Sequence, residues 1–498
     1  MPPQALAAVA TLLSFAAHGD RIELKLDHGS AELQWYADSA FRFRRTLEGP
    51  LGELARPEIQ PVAVRIDETP GALRIRSETI EVVIQKHGLL IAVLRANGRS
   101  LMKDLSEPAV FGQGVAWERE SPAGERFYGL GPRPDPRFDL GGQAVSATIP
   151  FLISTAGYGE FHAGTGPWRF DFTGAGRYRV EAPRVDYFFY FGPPPKEIFR
   201  EHNRSGQALR PWQYAAATPS WSGLRDALLS MVQGAMSGVI YPSFDLAAFA
   251  GVDPALLLRA RQLGSLVPRA TPGAVGLSDF RKQLESFFAV YGPEADYHGH
   301  PTWHPLPFQF PADPECARHA DEFMLGDEML VTPITDASGK RQVYLPQGIW
   351  TNLETNQAIS GKTTIAVETA SLPVFARNGS IIPLDAPGGV ALHYFPTLGA
   401  EFFLLEQDIG EYSQVHAAPA ADMMRLEIES KKDRRYQWVV HHVDRPSAVN
   451  FERREYRPVE SLDGLVDGTW FYDAATRNLH IRVNVKAGED CIINLEFY

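Results

Sequence analysis

The sequence predicts a multidomain fold of β plus α/β class, and three observations predict it. Residues 21–192 run as short alternating stretches cut by Gly, Pro and an Asn-Gly turn. From Lys196 to about Tyr297 the spacing of apolar residues lengthens to a helical period. After Phe323 short strands and turns return and continue to Tyr498.

In the first block, Arg21-Ile-Glu-Leu-Lys-Leu26, Ala31-Glu-Leu-Gln-Trp-Tyr36 and Thr79-Ile-Glu-Val-Val-Ile84 alternate apolar with polar positions, which buries one face of each strand and wets the other. Asn97-Gly98 close behind supplies a hairpin turn, and the spacing as a whole predicts an antiparallel β-sandwich. Ahead of it, Ala5-Leu-Ala-Ala-Val-Ala-Thr-Leu-Leu-Ser-Phe-Ala-Ala17 reads either as a signal h-region or as a short helix packed on the first sandwich. No Lys or Arg precedes it, so a retained start and a cytoplasmic location are favoured over a secreted one. No apolar run approaches the ~20 residues of a transmembrane helix, and no membrane partner is expected.

In the middle block, Leu224-Arg-Asp-Ala-Leu-Leu-Ser-Met-Val232 and Ser278-Asp-Phe-Arg-Lys-Gln-Leu-Glu-Ser-Phe-Phe288 have helical spacing. Between them, Gly238-Val-Ile-Tyr241 followed by Ser243-Phe-Asp-Leu246 reads as a strand ending in a carboxylate. That succession is the grammar of βα units. The final block predicts two further sandwiches, with a boundary near Asp385-Ala-Pro-Gly-Gly389.

Composition excludes several functions. At ~150 residues per domain, 498 residues imply three or four domains. An apolar content of 44% with 22% charged residues is that of a globular chain. Its 48 basic against 60 acidic residues, a net charge of −12, argue against a phosphate-backbone partner; no nucleic acid is expected. Cys316 and Cys491 form neither a disulfide framework nor a zinc motif. His298-Gly-His-Pro-Thr-Trp-His304 invites a metal reading, but the break at Pro301, together with the resemblance given below, makes it a connecting loop. His441 and His442 fall in an expected strand, so their rings would point to opposite faces. No phosphate-cradling Gly-rich loop, nucleophile elbow or dinucleotide fingerprint occurs. No metal and no cofactor is expected.

Longer strings carry more. The front of the chain holds Glu125-Arg-Phe-Tyr-Gly-Leu-Gly131, Ile149-Pro-Phe-Leu-Ile153 and Asp186-Tyr-Phe-Phe-Tyr-Phe-Gly-Pro193. The rear holds Gly299-His-Pro-Thr-Trp-His-Pro-Leu306, Phe323-Met-Leu-Gly-Asp-Glu-Met-Leu-Val-Thr-Pro-Ile334, Tyr344-Leu-Pro-Gln-Gly-Ile-Trp350 and Pro373-Val-Phe-Ala-Arg-Asn-Gly-Ser-Ile-Ile-Pro383. Together these resemble glycoside hydrolase family 31, the α-glucosidases and α-xylosidases. The resemblance implies a galactose-mutarotase-like N-terminal β-sandwich over 1–195, a truncated (β/α)8-type barrel over 196–305, and proximal and distal C-terminal β-sandwiches over 306–388 and 389–498. A complete barrel takes about 250 residues, so strands and helices are expected to be missing between Pro211-Trp212 and Trp221. An open βα layer covered by the sandwiches is expected in its place.

The resemblance also locates the chemistry. Retaining hydrolysis needs two carboxyls about 5–5.5 Å apart. No Trp-x-Asp-Met-Asn-Glu-like string for the family's nucleophile exists, and the acid/base segment corresponds to Tyr214-Ala-Ala-Ala-Thr-Pro-Ser-Trp221, without a carboxylate. A hydroxyl cannot replace the acid near neutral pH. Gly238-Val-Ile-Tyr-Pro-Ser-Phe-Asp-Leu-Ala-Ala-Phe249 resembles the segment bearing the family's sugar-pocket aspartate, which makes Asp245 the candidate catalytic or sugar-binding residue. Its alternative role is to cap the following helix. Pro268-Arg-Ala-Thr271 lacks the sugar-binding His of the matching stretch, and His304 stands where the family often has Arg. Asp139 and Arg137 lie in a loop expected over the pocket, and Trp168 and Trp212 are candidate stacking platforms or core residues.

Two functions follow as expectations: a carbohydrate-binding or partner-supporting module unable to hydrolyse α-glycosides by the usual mechanism, or an enzyme using Asp245 with another acid for hydrolysis, elimination or isomerisation. The expected ligand is a carbohydrate or sugar-like small molecule. A homo-oligomer or partner chain is expected to cover the open barrel face.

Overall fold

The computed structural model describes residues 9–52, 62–208, 217–270, 275–451 and 454–497; the side chains at 269 and 270 are outside the description. The chain is mostly β, with few helices and several sandwich-like sheets. It divides into two compact units. One comprises residues 1–210, 233–240 and 298–301; the other comprises 211–232, 241–297 and 302–498.

In the first unit, alternation builds an eight-stranded antiparallel sheet in the order Leu12–His18, Arg21–Leu26, Ser30–Ala37, Ala40–Thr46, Val185–Phe191, Tyr158–His162, Phe151–Ser154 and Phe127–Gly129. Ile22, Leu24 and Leu26 are buried while Glu23 and Lys25 face water. Phe41 and Phe189 are cross-strand partners whose rings stack 5.1 Å apart, the pairing that fixes register in such a sheet. Two five-stranded sheets complete the unit, and one apolar cluster including Trp35, Trp117 and Tyr158 fills it. Within that core lies an ion network: Arg119 is fully buried, its Nε lies 3.0 Å from Asp104 Oδ1, and its Nη1 contacts Glu160. Residues 12–18, read above within an h-region or helix, form a strand on Arg21–Leu26; edge pairing outweighs the helical spacing of a small-residue run. Helix α1 (Pro195–Arg204) belongs to this unit and buries Ile198 and Phe199.

The second unit contains helix α2 (Trp221–Ala235) up to Val232, α3 (Pro254–Gly264), α4 (Asp279–Gln283), α5 (Glu285–His298) up to Tyr297 and α6 (Leu306–Gln309). The strand foreseen over 238–246 is shorter: Pro242 offers no N–H, and the strand is Ser243–Phe244, paired in parallel with Arg269–Ala270, with Val239 ahead of it in an isolated bridge. With α3 between them, these make one βαβ crossover. The helix foreseen over 278–288 is two, because Leu284 leaves helical geometry at φ −95° and ψ 7°.

The rest of this unit is antiparallel-rich sheet. One six-stranded sheet runs Trp303–Pro305, Phe323–Leu325, Met329–Val331, Val374–Arg377, Ile349–Asn352 and Ala358–Ser360. It contributes Met324, Leu330, Trp350 and Phe375 to a buried cluster with Leu306 and Cys316. Two further six-stranded sheets occupy residues 380–496. His441 and His442 lie beyond the strand Arg434–Val440, and His442 takes φ +54°. Strand alternation therefore does not set their direction.

Candidate functional site

Asp245 follows directly on the last residue of Ser243–Phe244, at the carboxyl end of a parallel pair, where ligands bind in open α/β layers. The next residues form a 3₁₀ turn, Leu246–Phe249, yet the Asp245 side chain does not cap it. Capping in this loop falls to Asp253, whose Oδ1 accepts from the N–H groups of Ala255 at 2.9 Å and Leu256 at 3.4 Å. Leu246 and Phe249 are buried while Asp245 is exposed, so the turn anchors itself by its apolar residues and holds the carboxylate outward. That arrangement suits a hydrogen-bond acceptor for hydroxyl groups.

His304 occupies a different setting. It sits in Trp303–Pro305, paired with Met324, and is 4% exposed. Its Nδ1 lies 3.2 Å from Asp327 Oδ1, and Phe308 and Tyr291 pack on the ring at 5.0 and 6.4 Å. The turn Gly326-Asp327-Glu328 gathers these groups. Tyr291 donates its hydroxyl to Glu328 at 2.9 and 2.7 Å, and the Asp327 N–H donates to Tyr291 Oη at 3.1 Å and Glu328 Oε2 at 3.0 Å. Burial pushes the Glu328 carboxyl up to about 8. Gly326 has φ +61°, and a Cβ there would meet Glu328 Oε2 and Tyr291 Cζ at 2.5 Å, so only glycine permits this closure. Tyr291, Asp327 and Glu328 were not singled out above, although Gly-Asp-Glu within the rear string carries the turn.

The other candidates lie as follows. In the first unit, Asp139 is half-buried and its Oδ1 accepts from the Gly141 N–H at 3.0 Å. Arg137 is exposed and lies 3.7 Å from Asp135. Their loop is fastened by Gln233, whose Nε2 donates to the carbonyls of Asp135 at 2.9 Å and Arg137 at 2.8 Å. Trp168 is half-buried in the strand Trp168–Asp171 and packs against the sandwich core. Trp212 lies outside the described residues. The structure brings Asp139 and Arg137 onto one loop of the first unit, and puts Asp245 and His304 in the second.

Among the described residues, one group of three potential metal ligands converges: His319, Asp321 and Glu322, with donor atoms within 4.8 Å of one another. Arg341 lies 3.2 Å from Asp321 and 3.0 Å from Glu322, so a guanidinium already supplies the positive charge a cation would bring. His298 and His300 stack at 5.3 Å, and His300 Nε2 is 3.0 Å from the Lys196 carbonyl.

Comparison with known proteins bears on the fold. A family model described as the glycosyl hydrolase family 31 C-terminal domain matches residues 299–382. An α-glucosidase of Saccharolobus solfataricus is 33% identical over 195 residues, which is 34% of this chain and 28% of that protein. The chain thus aligns with about a quarter of that relative's length. Among solved structures, a Flavobacterium johnsoniae family 31 dextranase complexed with isomaltotriose superposes with a TM-score of 0.83 at 13% identity, over 98% of this chain and 100% of the other. An α-1,4-glucan lyase of Gracilariopsis lemaneiformis superposes with a TM-score of 0.76 at 11% identity, over 98% and 97%.

Proposed function

We propose, from the premise that this chain is a member of glycoside hydrolase family 31, that it binds carbohydrate through Asp245 and has given up the family's retaining hydrolysis. One observation carries the reading: Asp245 stands exposed at the carboxyl end of a parallel strand and is not spent on capping. The sugar complex of the similar dextranase supports the ligand class. The stretch Tyr214–Trp221 offers no carboxylate as proton donor, which supports the loss of hydrolysis. This reading takes residues 196–305 as a shortened barrel, at roughly a hundred residues against the ~250 of a complete one, with its open face covered by a second copy or a partner chain.

A second reading draws on the lyase neighbour. Elimination removes a proton and a leaving sugar without adding water, and Asp245 with another acid would serve it. A screen with isomaltotriose, maltose and aryl α-glycosides decides between the two, with Asp245→Asn as control. Sugar-induced thermal stabilisation without turnover, lost in Asp245→Asn, upholds binding. Product formation abolished by the same substitution overturns it, and an unsaturated product identifies elimination.

A further inference from the structure

Asp245 has Phe244 before it in the chain and Leu246 after it, and both of these neighbours close on one residue of α3. Phe244 is 4% exposed and Leu246 is fully buried. A Cβ built on Gly264 would meet Leu246 Cδ2 at 3.2 Å, Phe244 Cδ1 at 3.5 Å and Leu246 Cβ at 3.6 Å. The two residues that flank the carboxylate are thus pinned to one spot on the helix, while the carboxylate itself is exposed. Phe249 secures the far end of the 3₁₀ turn: it too is fully buried, and its ring lies 5.5 Å from that of Phe244.

The backbone does not ask for glycine at this place. Gly264 is the last residue of α3, where glycine is ordinarily favoured for a left-handed cap, but it is not among the glycines with positive φ. Alanine would fit the chain there and strengthen the helix. What alanine would not fit is the neighbours, since 3.2 Å is closer than the ordinary 3.5–4.0 Å separation of packed carbons. Leu246 and Phe244, held in the interior, have little room to give way. The missing side chain is therefore matched to the turn that carries Asp245, at the expense of the helix that contains it.

We propose that Gly264 is the positioning residue of the Asp245 site: its bare Cα is the seat on which Phe244 and Leu246 rest, and through them it sets where the carboxylate stands. The inference rests on the reading of Asp245 as the sugar acceptor given above and adds what holds that acceptor in place. A hydrogen-bond acceptor serves a ligand only when the packing beneath it fixes its position. Side-chain volume at 264 should therefore govern affinity separately from stability.

Isothermal titration with isomaltotriose tests this on wild type, Asp245→Asn, Gly264→Ala, and the double variant Gly264→Ala, Leu246→Val, which takes back the methyl that alanine adds. In parallel, Asp245→Cys carries a nitroxide label in the same backgrounds; Cys316 and Cys491 are buried, so the label goes to 245. Gly264→Ala is expected to bind about tenfold more weakly without a lower melting temperature, and to loosen the line shape of the label. The double variant is expected to recover both. Unchanged affinity and an unchanged line shape in Gly264→Ala overturn the assignment. So does a loss that follows a lowered melting temperature and is not recovered by Leu246→Val, which would make Gly264 a matter of general packing. If wild type does not bind isomaltotriose, or Asp245→Asn binds it equally well, the sugar reading of Asp245 falls, and the line shapes alone decide whether Gly264 positions residue 245.

Discussion

Asp385 reaches from the strand Ser380–Ala386 to the start of α5 and takes two hydrogen bonds from Ser286. The backbone N–H donates to Oδ2 at 2.6 Å and the hydroxyl to Oδ1 at 2.6 Å. The first N–H groups of a helix lack intrahelical partners, and a carboxylate there also meets the positive end of the helix dipole. Asp385→Ala is expected to cost about 1 kcal/mol, and Asp385→Asn less. Urea unfolding measures it; an unmoved midpoint in the alanine variant would contradict the assignment.

Arg119 carries a larger penalty. Removing it leaves Asp104 and Glu160 buried without their cation, a loss of about 3–5 kcal/mol for a broken buried pair. Arg119→Met should lower the thermal midpoint sharply, whereas adding Asp104→Asn and Glu160→Gln should recover part of the loss. Equal destabilisation by the single and triple variants would show that packing, not charge, sets the cost.

The imidazoles of His393 and His441 meet Nδ1 to Nε2 at 3.0 Å, with Phe395 stacked on His441 at 4.2 Å. Burial pushes His393 down to about 4; burial and then the neighbouring His393 push His441 to about 2. In the unfolded chain both protonate near 6.5. Below that pH the unfolded state binds more protons, so this contribution is present above about pH 6.5 and is lost as pH falls towards 4. A His393→Gln, His441→Gln variant should show a shallower loss of stability between pH 6.5 and 4 than wild type, read by thermal melts.

Glu328 titrates in the opposite sense. Its folded carboxyl, raised by burial to about 8, stays protonated where an unfolded Glu ionises near 4.3. The folded state therefore holds the extra proton across this window, and stability declines as pH rises from about 4.3 to 8. Glu328→Gln keeps an oxygen for the Tyr291 hydroxyl and removes the titration. It should gain stability over wild type with rising pH, and a constant difference from pH 5 to 9 would refute this.

Much of the fold was legible because burial repeats along the chain. Ile22, Leu24 and Leu26 announce a one-sided strand, and α2 emerges at Trp221–Ala235 around the periodic stretch Leu224–Val232. Failures fell where pairing with another segment, near or far along the chain, decided. Residues 12–18 have no strand signature of their own and become one by pairing with Arg21–Leu26. The string around Asp245 already set it behind a strand, as Ser243–Phe244 does, but the setting of His304 was not readable. Tyr291 and Glu328 are 36 and 37 positions apart from Asp327 and Tyr291 respectively along the chain, and only folding joins them through the turn at Gly326.

The side chain of Arg259 has a consequence in time. From α3, its Nη1 donates to the carbonyls of Ala370 at 3.1 Å and Ser371 at 2.9 Å, and its Nη2 to Thr369 at 2.6 Å; Gln262 adds a bond to Ala370 at 2.8 Å. A short βαβ crossover would ordinarily open on its own, but α3 cannot lift without breaking this set together. Its amides should therefore exchange with deuterium at the pace of the strand Val374–Arg377 rather than that of a loop, and Arg259→Ala should uncouple the two rates. The segment that presents Asp245 thereby borrows the slow opening of the sheet behind it.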